Sequence, residues 1–196
     1  MKYTILMGSP KHDGNTAALL SPFMEENQSR GIEQDVIWLY EKNIQACLGC
    51  KNCQNVREGL GCVHSDDFQD IFDSIQSSDL VIFATPIYSW FCTPPMKALM
   101  DRLIYAGCKY YGEEKQRSVY AGKKVATIAT CGYAPEKGVD LWKEGLKRWC
   151  KHGEMDYLGM YCHRDLGRKD EFMTEVVEKE MRDFARAWYV MLRHSF

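Results

Sequence analysis

The sequence predicts an α/β fold, a doubly wound parallel sheet with helices on both faces. Three observations carry this. Five strand-like segments alternate with helical ones along the chain, the order that builds a parallel sheet through crossover helices. The segment Leu80-Val81-Ile82-Phe83-Ala84 is apolar throughout, as a strand covered on both faces should be. No internal repeat, low-complexity tract or Gly/Ser/Pro linker divides the 196 residues, so residues 1–196 read as one domain.

Residues 3–7 are the first buried strand. Residues 15–28 follow as a helix, with Ala17, Leu20, Phe23, Met24 and Asn27 at helical spacing. Pro22 removes one backbone donor there and predicts a kink. Residues 34–39 are the second strand. Residues 66–76 form a helix opened by Ser65 or Asp66, with Phe68, Ile71, Phe72 and Ile75 on one face. The third strand, 80–84, leads to a helix over 94–106 with Thr93 as N-cap and Pro94 in its first turn. A fourth strand over 125–129, a helix over 136–151, a shorter fifth strand over 155–161 and an amphipathic helix over 170–193 complete the pattern. One connection, residues 40–64, is too long for this plan. Such loops are usually functional or disordered, and this one holds four of the nine cysteines.

Charge narrows the function classes. Lys and Arg number 25 against 27 Asp and Glu, a net charge of -2, which disfavours nucleic acid and anionic membrane surfaces as partners. No apolar run approaches the roughly 20 residues of a membrane span. Met1-Lys2 leads directly into the first strand without a signal-peptide pattern, so a cytoplasmic location with reduced thiols is expected.

The first strand ends in Gly8-Ser9-Pro10-Lys11-His12-Asp13-Gly14-Asn15-Thr16 and opens directly into a helix. Backbone N–H groups at such a helix start, with the dipole behind them, favour an anion. A nucleoside triphosphate loop would place lysine where Asn15 stands, and the glycine spacing is one residue too long. The dinucleotide pattern G-x-G-x-x-G is absent as well. A single phosphate held mainly by neutral donors, Ser9, Asn15 and Thr16 within the turn bounded by Gly14, fits better. After the third strand, Thr85-Pro86-Ile87-Tyr88-Ser89-Trp90 joins stiff backbone to aromatic side chains. That combination suits the edge and face of a flat heteroaromatic ring. After the fourth strand, Thr130-Cys131-Gly132-Tyr133 makes a third loop at the same sheet edge, where open α/β sheets bind ligands.

Cys47, Cys50, Cys53 and Cys62 are spaced C-x2-C-x2-C-x8-C. Such a run can bring thiolates together for a [4Fe–4S] cluster or, as a lesser option, zinc; free thiols are the third reading. Cys92, Cys108, Cys131, Cys150 and Cys162 fall in or beside predicted elements and read as core, although Cys131 lies within the third loop. His12 is a candidate weak anion contact. His163, with Arg164 and Asp165, follows the fifth strand at the same sheet edge and reads as a solvated turn, with a substrate contact as the lesser option; His64, His152 and His194 read as surface.

Gly8-Ser9-Pro10 with Gly14-Asn15-Thr16, Cys47-Leu48-Gly49-Cys50 with Cys53, Thr85-Pro86-Ile87-Tyr88, and Met96-Lys97 with Asp101-Arg102 together carry a resemblance over nearly the whole chain. It is to the NAD(P)H-dependent FMN reductases of the flavodoxin-like superfamily, and within them to the iron–sulfur flavoproteins and their cluster-free relatives. The resemblance implies sheet order 2-1-3-4-5 with FMN between strands 1 and 3. It implies Ser9, Lys11, Asn15 and Thr16 at the phosphate, Thr85 to Tyr88 along the ribityl chain and ring edge, and Thr130 to Tyr133 at the far edge. Lys97, Asp101 and Arg102 read as helix-surface charges that orient the loop or meet another subunit. A homodimer or homotetramer is implied, with the partner chain helping to cover the flavin. Cluster-bearing members have a last cysteine gap shorter than the eight residues here, and cluster-free relatives keep a similar loop.

The implied activity is electron transfer from NAD(P)H through FMN to a quinone, a nitro or azo compound, free flavin or an iron–sulfur protein. Flavin chemistry needs little side-chain acid–base help, so no catalytic residue is assigned. The alternative is a ferredoxin-linked electron carrier without a nicotinamide site.

Overall fold

A computed structural model describes residues 1–57, 59–167 and 169–193. Five parallel strands, β1 (Lys2–Met7), β2 (Glu33–Trp38), β3 (Leu80–Pro86), β4 (Lys124–Cys131) and β5 (Asp156–Arg164), form one sheet in the order β2-β1-β3-β4-β5. This is the flavodoxin-like order. Its reversal between β1 and β3 opens a crevice beyond the carboxyl ends of those strands.

Alternation along the strands sends side chains to two separate cores. Tyr3, Ile5 and Met7 of β1 and Leu80 and Ile82 of β3 face α1 (Asn15–Ser29). The same face meets a helix over Glu175–Arg193, which inserts Met181, Ala185, Trp188 and Leu192. On the other face, Leu6, Val81, Phe83 and Val125 meet α2 (Phe68–Ser77), α3 (Pro94–Gly107) and a helix over Asp140–His152. β3 is buried on both faces along Leu80–Thr85, which accounts for its apolar sequence.

Several boundaries differ from those expected. The 136–151 segment is two helices, α4 (Pro135–Gly138) and α5 (Asp140–His152). Gly138 lies so close to Cys131 that a Cβ there would stand 2.8 Å from the sulfur, and buried Val139 takes a non-helical φ of -125°. The last segment is also divided, into α6 (Lys169–Phe172) and α7 (Glu175–Arg193). Thr174 opens α7, its Oγ1 accepting a bond from Val177 N at 3.3 Å. His194 lies outside the described residues. β5 is longer than expected because Cys162, His163 and Arg164 continue to pair with Ala129, Thr130 and Cys131. α2 begins at Phe68, two residues late, because Asp66 is engaged elsewhere as described below. α1 runs unbroken through the buried Pro22.

Thr93 holds the N-cap position of α3 but makes no side-chain cap bond. Pro95 at the second helical position has no N–H to offer it. Among the described residues, no helix is long and apolar enough to cross a membrane.

Candidate functional site

The loops after β1, β3 and β4 meet at the β1/β3 crevice. With the turn after β5 they border a cleft, open to solvent, with about 740 Å³ of empty space, lined by Ser9, Pro10, Lys11, Gly14, Asn15, Thr16, Pro86, Tyr88, Thr130, Asp165 and Gly167. The first loop is held from below. Gly8 N donates to Ala84 O at 2.7 Å, and a Cβ on Gly8 would lie 2.9 Å from Thr93 Oγ1. Ser9 Oγ then accepts a bond from Lys11 N at 3.1 Å, folding the loop back over its own start. The chain enters α1 with Gly14 at the N-cap position, no side-chain cap bond and no acidic residue in the first turn. The first amides of a 15-residue helix therefore lack the carboxylate or hydroxyl that usually satisfies them, the electrostatic condition for an anion. Thr16 Oγ1 is 2.9 Å from Thr130 Oγ1, a buried hydroxyl pair that ties α1 to the end of β4.

Of the residues singled out from sequence, Ser9, Lys11, Gly14, Asn15, Thr16, Pro86, Tyr88 and Thr130 line this one pocket. Thr85 is fully buried beneath it and donates its hydroxyl to Pro86 O at 2.8 Å. The Ile87 side chain packs into the core while its amide donates to Thr130 O, joining the second and third loops. Tyr88 and Phe91 pair across a tight turn in which Ser89 and Trp90 take φ of 49° and 68°. Trp90 stacks on Tyr133 at 5.7 Å and donates Nε1–H to Lys137 O at 3.1 Å. The Gly132 carbonyl accepts from Arg164 Nε at 3.0 Å. Trp90 and Tyr133 thus form an exposed aromatic shelf, with Gly132 beside them, outside the pocket lining. Asp165 is the pocket residue that sequence reading assigned to a solvated turn. Its amide donates to Cys131 O and its carboxylate accepts from Gly167 N at 2.8 Å, so the turn is built onto the site.

The histidine expectations need correction. His12 turns away from the pocket, stacks on Trp38 at 3.7 Å and bonds Glu41 at 2.5 Å. His163 is half-buried, edge-on to Phe172 at 4.9 Å, because β5 continues through it. His64 and His152 are half-buried too, the first bonded to Ala46 O and the second packed edge-on to Tyr110.

The long loop folds over α3 and makes a second pocket, of about 500 Å³. All four of its cysteines line it, with Leu48, Val63, His64, Arg102, Tyr105 and Ala106 among the others. Cys50 is exposed, Cys47 and Cys62 are half-buried, and Cys53 is buried with its Sγ 3.4 Å from Tyr105 O. Burial raises the Cys53 thiol, and the neighbouring charges of Cys62 and Cys47 add to this, so three of the sulfurs are electrostatic neighbours. Among the described residues, no three His, Cys, Asp or Glu side chains are drawn in to metal-binding distance. No carboxylate is among the described lining residues. As a donor set, thiolates beside a buried cation fit a thiolate-bound group.

Arg102 departs most from expectation. Lys97 and Asp101 form an exposed ion pair, but Arg102 is only 2% exposed. Its Nη1 and Nη2 donate to the Asp66 carboxylate at 2.6 and 2.9 Å, and Nη2 also lies 3.3 Å from Cys62 Sγ. Burial alone would raise the Asp66 carboxyl; the Arg102 bonds and the Gln45 amide outweigh it and hold the group below its ordinary value. A second buried cation, Lys109, donates to the carbonyls of Val56 and Gly59 and secures the far side of the loop.

The other five cysteines pack as expected. Burial pushes the Cys92 and Cys150 thiols up to about 12, leaving them protonated and unreactive. Cys131 and Cys162 touch at 3.5 Å, and burial raises both.

Similarity to known proteins shows the family to which the chain belongs. Residues 1–140 match the family described as NADPH-dependent FMN reductase. The chain is 30% identical over 149 residues to an iron-sulfur flavoprotein of Archaeoglobus fulgidus, covering 76% of this chain and 64% of that protein, so it spans less than two thirds of that relative. It is 30% identical over 163 residues to the iron-sulfur flavoprotein of Methanosarcina thermophila, covering 83% and 80%. Among solved structures, the NAD(P)H:quinone oxidoreductase from Methanothermobacter marburgensis superposes with a TM-score of 0.71 at 18% identity, over 96% of this chain and 97% of that one.

Proposed function

The chain belongs to the NADPH-dependent FMN reductase family, and from that premise we propose that it is an FMN-dependent oxidoreductase accepting electrons from NAD(P)H. The observation that carries the reading is the uncapped start of α1, opening into the pocket at the β1/β3 switch point. Ser9, Asn15, Thr16 and the α1 amides would hold the phosphate, with Lys11 beside them. Thr85 to Tyr88 would run along the ribityl chain, and Thr130, Gly132 and Tyr133 would approach the ring with Trp90. Bound FMN would supply hydride acceptance and one-electron release. The protein's part is to orient the ring and limit water around it; the exposed rings of Tyr88, Trp90, Phe91 and Tyr133 suit cover by a nicotinamide, a planar acceptor or a second copy of the chain.

The test is anaerobic. The purified protein is loaded with FMN, and flavin absorbance is followed on adding NADPH or NADH. Bleaching is expected. Failure to take up FMN would end the reading, and bleaching by reduced ferredoxin alone would favour the electron-carrier alternative.

The four-thiol pocket favours an addition to this reading, in which Cys47, Cys50, Cys53 and Cys62 hold a [4Fe–4S] cluster. The names of the similar archaeal proteins support it. The cluster would supply single-electron exchange with a protein partner. Anaerobic reconstitution followed by iron and sulfide analysis tests this separately: zinc alone, or no metal, would remove the cluster and leave the FMN reading intact.

A further inference from the structure

Arg102 is unusual in its demands. It is a buried cation whose guanidinium meets both ends of the cysteine loop at once. Nη1 bonds Asp66 and, at 3.3 Å, Gln45 O; Nη2 bonds Asp66 and Cys62 Sγ. The same carboxylate accepts from Gln45 N at 2.9 Å. Gln45 stands two residues before Cys47, and Asp66 four after Cys62. One clasp therefore closes the loop and brings the outlying fourth thiol to the pocket that the tight C-x2-C-x2-C run lines. Asp66 neutralises the guanidinium charge, so the bond to sulfur is not needed to stabilise Arg102 itself. Moreover, Arg102 Nε is buried and has no partner among the described residues, although Arg102 lines the pocket. An orphaned buried donor is rare, and Arg102 shares this pocket with all four cysteines.

We propose that Arg102 is a positioning residue for the group held by the four thiols: it fixes Cys62 as the fourth ligand and, by donating to that sulfur, favours the reduced state of the group. The proposal rests on the cluster reading above. Reduction adds negative charge to the sulfurs, and a hydrogen-bond donor held against one of them stabilises that charge. Asp66 acts one step further out, fixing the plane of the guanidinium through two bonds. Lysine in this place would keep a charge for Asp66, but a point charge cannot grip the carboxylate and the sulfur together.

The experiment uses the full chain, loaded with FMN and reconstituted anaerobically with iron and sulfide, and compares it with Arg102→Lys. Because this variant can disturb folding, the apolar pair Arg102→Met with Asp66→Leu is prepared as well, leaving no stranded charge. Redox titration followed by visible and paramagnetic resonance spectra gives the cluster potential, and FMN affinity in the same samples reports the fold. The expected result is a more negative cluster potential in both variants with FMN affinity unchanged. Loss of iron with FMN binding retained would also support the positioning role. A potential and iron content equal to those of the unaltered protein would overturn the proposal. If the unaltered protein takes up no iron, the cluster reading fails first, before any variant is compared, and the proposal falls with it.

Discussion

Replacing Thr16 by valine tests the phosphate assignment. The Thr16 hydroxyl is 2% exposed with its residue, lines the pocket and meets Thr130 Oγ1 at 2.9 Å. Valine keeps the shape and removes only the polar atom. Two losses follow, and they are separable. Without ligand, the pair bond disappears and Thr130 is left with one partner fewer, a cost of about 1 kcal/mol in unfolding free energy. With FMN, Thr16 also loses a bond to a charged phosphate. Such bonds contribute about 1.5–3 kcal/mol, which corresponds to roughly a 10- to 150-fold weaker affinity. Thr130→Val makes the control, since it breaks the same pair but leaves the Thr16 hydroxyl free for the phosphate. Urea unfolding of the ligand-free proteins should show similar losses for the two variants, and less than their sum for the double variant, because neither hydroxyl is then stranded. Fluorescence titration with FMN should separate them, with Thr16→Val much the weaker binder. Equal FMN affinities for Thr16→Val and the unaltered protein would place the phosphate elsewhere and refute the reasoning.

Three further outcomes follow from packing and charge. Gly107→Ala should lower thermal stability steeply, by about 3 kcal/mol, because its Cβ would stand 2.1 Å from the buried Tyr120 ring, which is held by its bond to Leu103 O; calorimetry reads this directly. Arg102→Met alone leaves the fully buried Asp66 carboxylate unpaired and should cost about 3–5 kcal/mol, whereas adding Asp66→Leu should recover most of it in denaturant unfolding. Glu26, bonded first by Arg186 of α7 and also by Arg30, is lowered from 4.5 to about 2 in spite of partial burial. Because the folded value is the lower one, its contribution to stability is present above about pH 4.5 and is lost as pH falls towards 2. Glu26→Gln should flatten the acid-unfolding curve across that window, and unchanged steepness would remove this pair from the account.

Much of the sheet was legible because parallel strands covered on both faces leave continuous apolar runs, and β3 is the plainest case. The first loop was legible for a related reason. The glycine-bounded turn after β1 stands out between a buried strand and a helix, and its five singled-out residues line one pocket with Pro86, Tyr88 and Thr130. Element ends were less readable, since they depend on contacts far away in sequence. The helix breaks at Val139, next to Gly138, where a Cβ would meet the Cys131 sulfur, and the length of β5 follows from pairing with the end of β4. Trp90 and Ile87 belong to a loop correctly placed at the site, yet one stacks outside the pocket and the other turns into the core. Backbone direction within a turn decides this, and residue type alone does not report it.

Arg102 shows where reading charges from a helix pattern fails. Lys97, Asp101 and Arg102 all lie on α3 and read together as helix-surface charges. The first two do pair on the surface. Arg102 lies one position beyond Asp101, a turn of 100° around the helix, which carries it under the cysteine loop. Burial there is tolerable only because Asp66, 36 residues earlier, arrives with a carboxylate in matching orientation. The same carboxylate was read from sequence as a helix cap, and its 3.3 Å bond from Phe68 N is a remnant of that use. One aspartate thus bonds the start of α2 and neutralises the buried arginine that donates to Cys62. A stretched last cysteine gap therefore costs the loop little in closure, because the fourth thiol is positioned by a clasp on α3 and not by the length of chain that leads to it.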